Sequence, residues 1–323
     1  MKPFKHYDVN TIDEAVSALQ NFAGKAKIIA GGTDIVGMFK DEVFAERPEA
    51  LVNIKTIPNL DYIKEEDGML KIGPLALLED IAHDELVKSK YTALAEAARR
   101  TASPHIREMG TISGNICQQC RCWYFRSPNN RFNCIRKGGE DCYAEEGENR
   151  YHSIFGNVKD CLAVNPSDTA PALIALGAKV KTSKRVLEIA DFYEKEEPKK
   201  TTVLDEDEIV VEIQVPQPAA NSKSKFEKFA IRKSIDFPIV NCASQVELDG
   251  DTVKNARVCL NAVFANPYVA QKAAEYVVGK TLDEETVTAA ADLALEDAKP
   301  LAKNAYKITI AKALIKRTLL ACK

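Results

Sequence analysis

The fold of this chain is decided by the stretch KIIAGGTDI, residues 27–35, in which an apolar run meets two adjacent glycines. The pattern predicts a buried strand at Lys27–Ala30 that ends in a tight loop. Paired glycines allow backbone conformations that turn successive N–H groups toward one anion, and a diphosphate is the natural ligand. A turn that binds nothing is the alternative. The stretch is neither G-x-G-x-x-G nor a P-loop, so a nicotinamide-binding Rossmann fold or a nucleoside triphosphatase is not indicated.

The residues on either side of this loop predict a small βα unit. Thr11-Ile12-Asp13-Glu14 is a capping box, in which the Thr11 hydroxyl accepts a hydrogen bond from the Glu14 amide. Apolar residues follow at helical spacing as far as Gly24. Further strands are predicted at Leu51–Ile54 and around Leu70–Ile72, and both are assigned to this unit.

The remainder of the chain changes pattern twice. Helices are predicted at Leu94–Arg100 and Thr169–Leu176, and a linker at Pro216–Ser222. Short alternating strands predict an antiparallel sheet before this linker, and two more strands follow it; these strands are Lys179–Thr182, Arg185–Ile189, Glu208–Val215, Ser244–Leu248 and Ala256–Val263. A final helix presents Ala311, Leu314, Ile315 and Leu319 on one face, which we expect to be buried.

Composition excludes several classes of function. The 323 residues carry a formal net charge of −3, which offers no basic surface for nucleic acid or anionic lipid. The apolar runs are too short to span a membrane, and residues 1–8 lack the apolar stretch of a signal peptide. We therefore expect a cytoplasmic protein with reduced thiols, in which clustered cysteines bind metal or take part in catalysis.

Two further polar motifs suggest a flat, polar ligand. Gly110-Thr111-Ile112-Ser113-Gly114-Asn115 combines small residues, hydroxyls and an amide, and so allows close approach and hydrogen bonding. Asn165-Pro166-Ser167-Asp168 precedes a predicted helix. Serine and aspartate cap helices, so this third motif has a purely structural interpretation as well.

Taken in order, the three motifs resemble the flavin-binding medium subunits of the molybdenum hydroxylases, the xanthine dehydrogenase and aldehyde oxidoreductase family. That family has A-G-G-T-[DE], G-T-x-G-G-N and P-x-S-D at corresponding places, and this chain departs from it at Ser113. Phe226–Lys233 is similar to the family's entry into its last domain. The resemblance implies an α+β fold: a two-subdomain FAD-binding domain of the PCMH type at residues 1–218, then a C-terminal domain of antiparallel strands and helices at residues 222–323.

The resemblance also implies which residues bind FAD. The glycine loop would hold the pyrophosphate. Thr111, Gly114 and Asn115 would contact the isoalloxazine and ribityl region. Asp168 would bind the adenosine side, and Lys228 would lie near the flavin ring. The implied set is Lys27, Ile28, Ile29, Ala30, Gly31, Gly32, Thr33, Asp34, Ile35, Gly110, Thr111, Gly114, Asn115, Asp168, Ile209 and Lys228.

Cysteines cluster in one segment. Five of the nine lie between Cys117 and Cys142, and a sixth is Cys161. Residues 117–161 resemble an insertion that binds a [4Fe–4S] cluster in a subset of the family, of the aldehyde oxidoreductase and 4-hydroxybenzoyl-CoA reductase type. The implied ligands are Cys122, Cys134, Cys142 and Cys161, with Cys120 as an alternative to Cys122. Zinc is the competing metal, although only Cys117–Cys120 has the spacing of a zinc knuckle.

The resemblance implies an electron-transfer subunit with FAD and a [4Fe–4S] cluster. Its partners would be a large molybdopterin subunit, a small subunit with [2Fe–2S] clusters, and ferredoxin or another one-electron carrier. Residues Gly147–Gly156 are more similar to the aldehyde and xanthine dehydrogenase branch than to the reductive dehydroxylases, which remain an alternative. Two alternatives of other classes are a stand-alone flavoprotein oxidase with structural zinc and a non-enzymatic zinc-binding protein. No motif for substrate chemistry is present in the chain itself.

Overall fold

A small parallel sheet carries the glycine loop. The computed structural model describes residues 2–323. In this first unit β3 lies between β1 and β2, and all three strands are parallel. The Thr11 hydroxyl accepts from the Glu14 amide at 3.1 Å, which confirms the predicted cap. The elements are β1 (Lys5–Asp8), α1 (Ile12–Asn21), β2 (Ala26–Ile29), α2 (Ile35–Lys40) and β3 (Ala50–Asn53). Because β2 ends at Ile29, only Ala30 separates the strand from the two glycines.

The second unit is built on a five-stranded antiparallel sheet. Its strands are β4 (Ile63–Glu66), β5 (Met69–Ile72), β6 (Lys179–Thr182), β7 (Val186–Glu188) and β8 (Val210–Pro216), in the spatial order β4-β5-β8-β6-β7. The assignment of Leu70–Ile72 to the first unit is wrong. This strand pairs with β8, where Leu70 is opposite Val215. A local pattern predicts a strand, but it does not identify a partner so distant in the chain.

Short helices lie between β5 and β6 along the chain and pack on this second sheet. They are α3 (Leu78–His83), α4 (Glu85–Lys90), α5 (Thr92–Arg100), α6 (Pro104–Arg107), α7 (Ile112–Cys117) and α8 (Thr169–Ala175). Residues of α3, α5, α7 and α8 share one core with β5, β6 and β8. Between α7 and α8 the cysteine segment contains only two short 3₁₀ turns, at Pro128–Asn130 and Ile135–Lys137.

The last unit is a four-stranded antiparallel sheet with helices. Its elements are β9 (Ser222–Phe229), β10 (Val240–Asp249), β11 (Thr252–Asn261), β12 (Tyr268–Val269), α9 (Gln271–Val277), α10 (Glu284–Ala294) and α11 (Tyr306–Leu320). The predicted apolar face of α11 is buried at Ala311, Leu314, Ile315 and Leu319. The α+β fold expected from the sequence is thereby confirmed. Within residues 2–323 no helix has the length and apolar character needed to cross a membrane.

Candidate functional site

The glycine loop and the Gly110 motif form two walls of one cleft of about 500 Å³. This volume lies in the range of small-molecule sites. Most of the residues implied to bind flavin line it: Lys27, Ile28, Ala30, Gly31, Gly32, Thr33, Asp34, Ile35, Gly110, Thr111, Gly114, Asn115 and Ile209. The structure thus brings together motifs that are far apart in the sequence.

At Gly31 the two walls of the cleft lie close together. A Cβ atom at this position would overlap the carbonyl group of Met109 and press on the Cα of Gly110. Gly32 has a φ of +74°, in the left-handed region that favours glycine. The first glycine therefore sets the spacing between the walls, and the second sets the direction of the loop. Both features form a cradle suited to a diphosphate.

Hydroxyl groups fix the shape of the second motif. Thr111 caps α7, where its hydroxyl accepts from the Gly114 amide at 3.1 Å. Ser113, where the family has glycine, donates its hydroxyl to the Pro74 carbonyl at 2.6 Å. The departure is therefore accommodated without an unsatisfied polar group. The Asn115 side-chain oxygen accepts from the Ser167 hydroxyl at 2.6 Å, which connects the second motif to the third.

Asp168 and Lys228 form a buried ion pair away from the lining of the cleft. The Lys228 ammonium lies 2.6 Å from the Asp168 carboxylate, and the side chains are 3% and 2% exposed. Asn241 donates to the same carboxylate at 2.8 Å. Burial raises the pKa of Asp168, and the Lys228 charge opposes this rise. Their flavin-binding roles remain predictions. Ile29, also outside the lining, packs against Phe39 and Leu51.

Sequence reasoning missed the outer wall of the cleft, which includes Ala102, Ile235 and Phe237. Ala102 and Ile235 both have positive φ, +46° and +63°, and the Ile235 amide donates to the Ala102 carbonyl at 3.2 Å. A β-branched residue in this region is a genuine outlier, and such strain concentrates at ligand sites. No residue type in these segments predicts a left-handed backbone conformation. The sequence therefore contains no signal that would identify this wall of the cleft.

Asp34 connects the glycine loop to the cysteine segment. Its carboxylate accepts from Arg121 and Arg126, each at 2.9 Å, and from the Gln119 amide at 3.3 Å. An uncompensated carboxylate would repel a diphosphate. Here the two positive charges of Arg121 and Arg126 outweigh the single negative charge of Asp34. The surroundings of Asp34 therefore carry net positive charge.

The four cysteines implied as cluster ligands line one small cavity. Cys122, Cys134, Cys142 and Cys161 surround it together with Tyr124, Phe125 and Tyr143 and other side chains. A turn brings the segments of Cys134 and Cys142 together. The Gly139 amide donates to the Cys134 carbonyl at 3.0 Å, and the Ile135 amide donates to the Asp141 carbonyl at 3.0 Å. Thiols separated by long stretches of sequence therefore meet in a shell that includes aromatic side chains.

Burial lowers the acidity of three of these thiols. It raises the pKa values of Cys122 and Cys134, and raises that of Cys161 to about 11. Buried thiols with raised pKa values stay protonated unless a metal stabilises the thiolate. In the part of the chain that the structure describes, no three His, Cys, Asp or Glu side chains are arranged to hold a single metal ion.

The remaining two cysteines of the segment have different surroundings. Cys117 lines the cleft and packs against the core of the second unit, where burial raises its pKa to about 12. Cys120 is 3% exposed and packs in the same apolar cluster as Cys122, Cys134 and Cys161. The structure therefore places Cys120 near the implied ligands, and both Cys120 and Cys122 remain candidates for the same ligand position.

A histidine, His152, lies against Cys122. Its Nε2 lies 3.3 Å from the Cys122 sulfur. Burial, and then the charge of Lys307, lower the pKa of His152 to about 4, so the ring is neutral near pH 7. Lys307 is fully buried and donates to the carbonyls of His152 and Ala262. It therefore connects the cysteine segment to the last unit.

Known proteins share this architecture along almost the whole chain. Residues 2–218 match the family described as "FAD binding domain in molybdopterin dehydrogenase", and residues 225–322 match "CO dehydrogenase flavoprotein C-terminal domain". The aldehyde oxidoreductase FAD-binding subunit PaoB of Escherichia coli is 34% identical, with 97% of this chain and 96% of that protein covered. The carbon monoxide dehydrogenase medium chain of Hydrogenophaga pseudoflava is 29% identical, over 98% and 96% of the two chains.

A solved structure agrees with these sequence matches. Carbon monoxide dehydrogenase from Hydrogenophaga pseudoflava, in a form lacking the Mo-pyranopterin moiety of its molybdenum cofactor, superimposes with a TM-score of 0.78 at 27% identity. The match covers 100% of this chain and 98% of the other.

Proposed function

The chain belongs to the family of FAD-binding medium subunits of the molybdenum hydroxylases, and from this premise we propose that it transfers electrons between FAD, a [4Fe–4S] cluster and an external acceptor. The observation that carries the proposal is the meeting of Cys122, Cys134, Cys142 and Cys161 around one cavity. Asp34 joins this segment to the flavin cleft through Arg121 and Arg126. The two redox sites are therefore neighbours.

The residues of the cleft fit FAD. Gly31 and Gly32 would hold the diphosphate with backbone amides, and the excess positive charge beside Asp34 would stabilise it. Thr111, Gly114 and Asn115 would contact the flavin end. Bound FAD supplies a centre that exchanges electrons singly or in pairs. The chain's own contribution is to hold the cofactor in place and to exclude water from it.

The donor set of the cysteine cavity fits an iron–sulfur cluster. Four cysteine thiols line this cavity together with aromatic side chains, and a [4Fe–4S] cluster is held by four thiolates. Tetrahedral zinc also accepts four thiolates, but structural zinc sites usually have paired knuckles, and only Cys117–Cys120 has that spacing. The Cys122 thiolate would then accept a hydrogen bond from His152, a contact that stabilises negative charge on sulfur.

The similarity to an aldehyde oxidoreductase subunit supports the same branch for this chain. In the proposed complex, a large molybdopterin subunit oxidises an aldehyde or a purine, and a small subunit with [2Fe–2S] clusters passes electrons to FAD. Cys122, Cys134, Cys142 and Cys161 would hold a [4Fe–4S] cluster, which would supply a one-electron centre between FAD and ferredoxin or a similar one-electron carrier in the cytoplasm. In a reductive dehydroxylase of the 4-hydroxybenzoyl-CoA reductase type, electrons would flow the other way.

An anaerobic absorption spectrum of the purified chain, with iron, zinc and sulfide analysis, tests the proposal. We expect flavin bands, broad absorption of an iron–sulfur cluster and about four irons per FAD. Flavin with zinc and without iron would instead identify a flavoprotein with a structural zinc site. Zinc without flavin would identify a binding protein and contradict the proposal entirely.

The cysteine variants test the relay. Cys134→Ser removes one thiolate, so we expect the iron content to fall while FAD content stays near one per chain. Ferredoxin-linked turnover of the assembled complex should slow by at least about tenfold, equivalent to about 1.4 kcal/mol. Unchanged turnover after loss of the cluster would rule out a relay role. Comparing iron content in Cys120→Ser and Cys122→Ser decides between these two ligands, because only the true ligand is needed to retain four irons.

A further inference from the structure

Three cations surround one aromatic ring in the wall of the cysteine cavity. The ring belongs to Phe125, which lines the cavity and is buried. The cationic groups of Arg126, Arg136 and Lys137 lie 5.8, 5.6 and 5.5 Å from the centre of this ring. An aromatic face attracts a cation only modestly, so the ring does not neutralise these charges. The proposed cluster site is therefore bordered by positive charge.

Two of these cations have partners elsewhere in the protein. The Arg126 guanidinium pairs with the Asp34 carboxylate at 2.9 Å. The Arg136 guanidinium donates to the carbonyls of Pro198 and Lys200 at 2.8 and 3.3 Å. Both guanidinium groups therefore have acceptors that stabilise their charge.

Lys137 differs from these two arginines. Its Nζ atom is buried and has no hydrogen-bond partner, carboxylate or other, in the part of the chain that the structure describes. Burial lowers the pKa of Lys137. The groups that oppose this fall are three thiols of the same segment, those of Cys134, Cys122 and Cys120. The negative charge available to this ammonium would therefore come from cysteine thiolates.

The backbone fixes where the Lys137 side chain begins. The Lys137 amide donates to the Cys134 carbonyl at 2.7 Å, in the 3₁₀ turn that follows this cysteine. Buried side chains of the cavity wall, such as Phe125, keep water away, so a charge in this shell is weakly screened. Net charge and solvent exposure are among the features that set the reduction potential of an iron–sulfur cluster. A fixed ammonium at this place would therefore act on that potential.

We propose that the buried ammonium of Lys137 raises the reduction potential of a [4Fe–4S] cluster held in the cysteine cavity, and the proposal rests on the proposed function. Reduction adds one electron and no proton, so the site becomes more negative and the ammonium stabilises the reduced state more than the oxidised one. The electron comes from reduced FAD. Lys137 thereby favours electron flow from the flavin towards the cysteine cavity, which is the direction of substrate oxidation.

Lys137→Met tests the charge with little change of shape, and no hydrogen bond of Nζ is lost. The purified chain with its FAD and iron is titrated anaerobically with dithionite and redox dyes. Electron paramagnetic resonance follows the cluster, and absorbance follows the flavin. We expect the equilibrium constant for one-electron reduction of the cluster to fall by at least about tenfold, equivalent to about 59 mV. The flavin potential should stay unchanged, because Lys137 does not line the flavin cleft.

Lys199→Met is the matched control for this measurement. Lys199 is exposed, and its Nζ lies beside Gly138, the residue after Lys137. Because water and salt screen an exposed charge, the equilibrium constant should change by less than about twofold. Lys137→Arg is a second variant at the buried position. It keeps the positive charge, so its cluster potential should stay closer to that of the wild type than the potential of Lys137→Met.

The outcomes separate this proposal from the proposed function. An unchanged cluster potential in Lys137→Met overturns the proposal, and so does an equal shift in Lys199→Met. If Lys137→Met does not retain iron, the iron content of Lys137→Arg decides. Retention there supports a role of the charge, whereas loss in both variants overturns it, because the shape of the side chain would then matter. A wild-type chain without iron would contradict the proposed function itself, and the role of Lys137 with it.

Discussion

Replacing Lys228 with methionine should lower the free energy of unfolding by about 3–5 kcal/mol. The substitution leaves the Asp168 carboxylate buried without its cation, since Lys228 and Asp168 are both almost fully buried at a separation of 2.6 Å. Lys228 also donates to the Arg100 carbonyl at 3.0 Å, so a buried acceptor loses its partner as well. Denaturant unfolding monitored by circular dichroism measures the effect.

The same strand provides the control for this prediction. Lys225 pairs with Glu96, and both of these side chains are 29% exposed. Because exposed ion pairs are screened by water, Lys225→Met should cost no more than about 1 kcal/mol. Combining Lys228→Met with Asp168→Leu removes both charges and should recover much of the loss. Equal destabilisation by Lys228→Met and Lys225→Met would show that the buried pair has no special role.

Gly31→Ala should reduce FAD content by more than about tenfold. The added Cβ overlaps the Met109 carbonyl, a backbone group that a change of side-chain rotamer cannot move away. Overpacking of this kind costs about 1–3 kcal/mol, and 1.4 kcal/mol already changes an affinity tenfold. The two walls of the cleft separate, and the contacts of both motifs with the cofactor are lost. The ratio of flavin to protein absorbance after purification measures the result.

Gly37→Ala is the matched substitution six residues away. It lies within α2, and an added Cβ at Gly37 meets no atom within 4 Å. Alanine favours the helix by up to about 1 kcal/mol, so this variant should keep its FAD and be slightly more stable. Full FAD content in Gly31→Ala would mean that the close approach to Met109 does not determine flavin binding.

The sequence was informative where chemistry depends on neighbouring residues. The glycine loop, the Gly110 motif and the cap at Thr11 are each contained in a few consecutive residues, so their residue types predict their conformations. The family resemblance assigned these motifs to one FAD-binding fold. The matches to residues 2–218 and 225–322 confirm the FAD-binding family. The clustering of cysteines predicts a metal centre, and this stays a prediction.

The tertiary structure decided every feature that joins distant parts of the chain. The pairing of β5 with β8, the ion pair of Asp168 with Lys228, and the contact of His152 with Cys122 link residues that no local pattern relates. Side-chain charge and polarity can be read from the sequence, but a partner is fixed by packing, which depends on the whole fold. The sequence by itself therefore determined the family and its motifs. Only the structure decided that four cysteines meet in one cavity, and that the Lys137 ammonium is buried near it without a hydrogen-bond partner in the described residues.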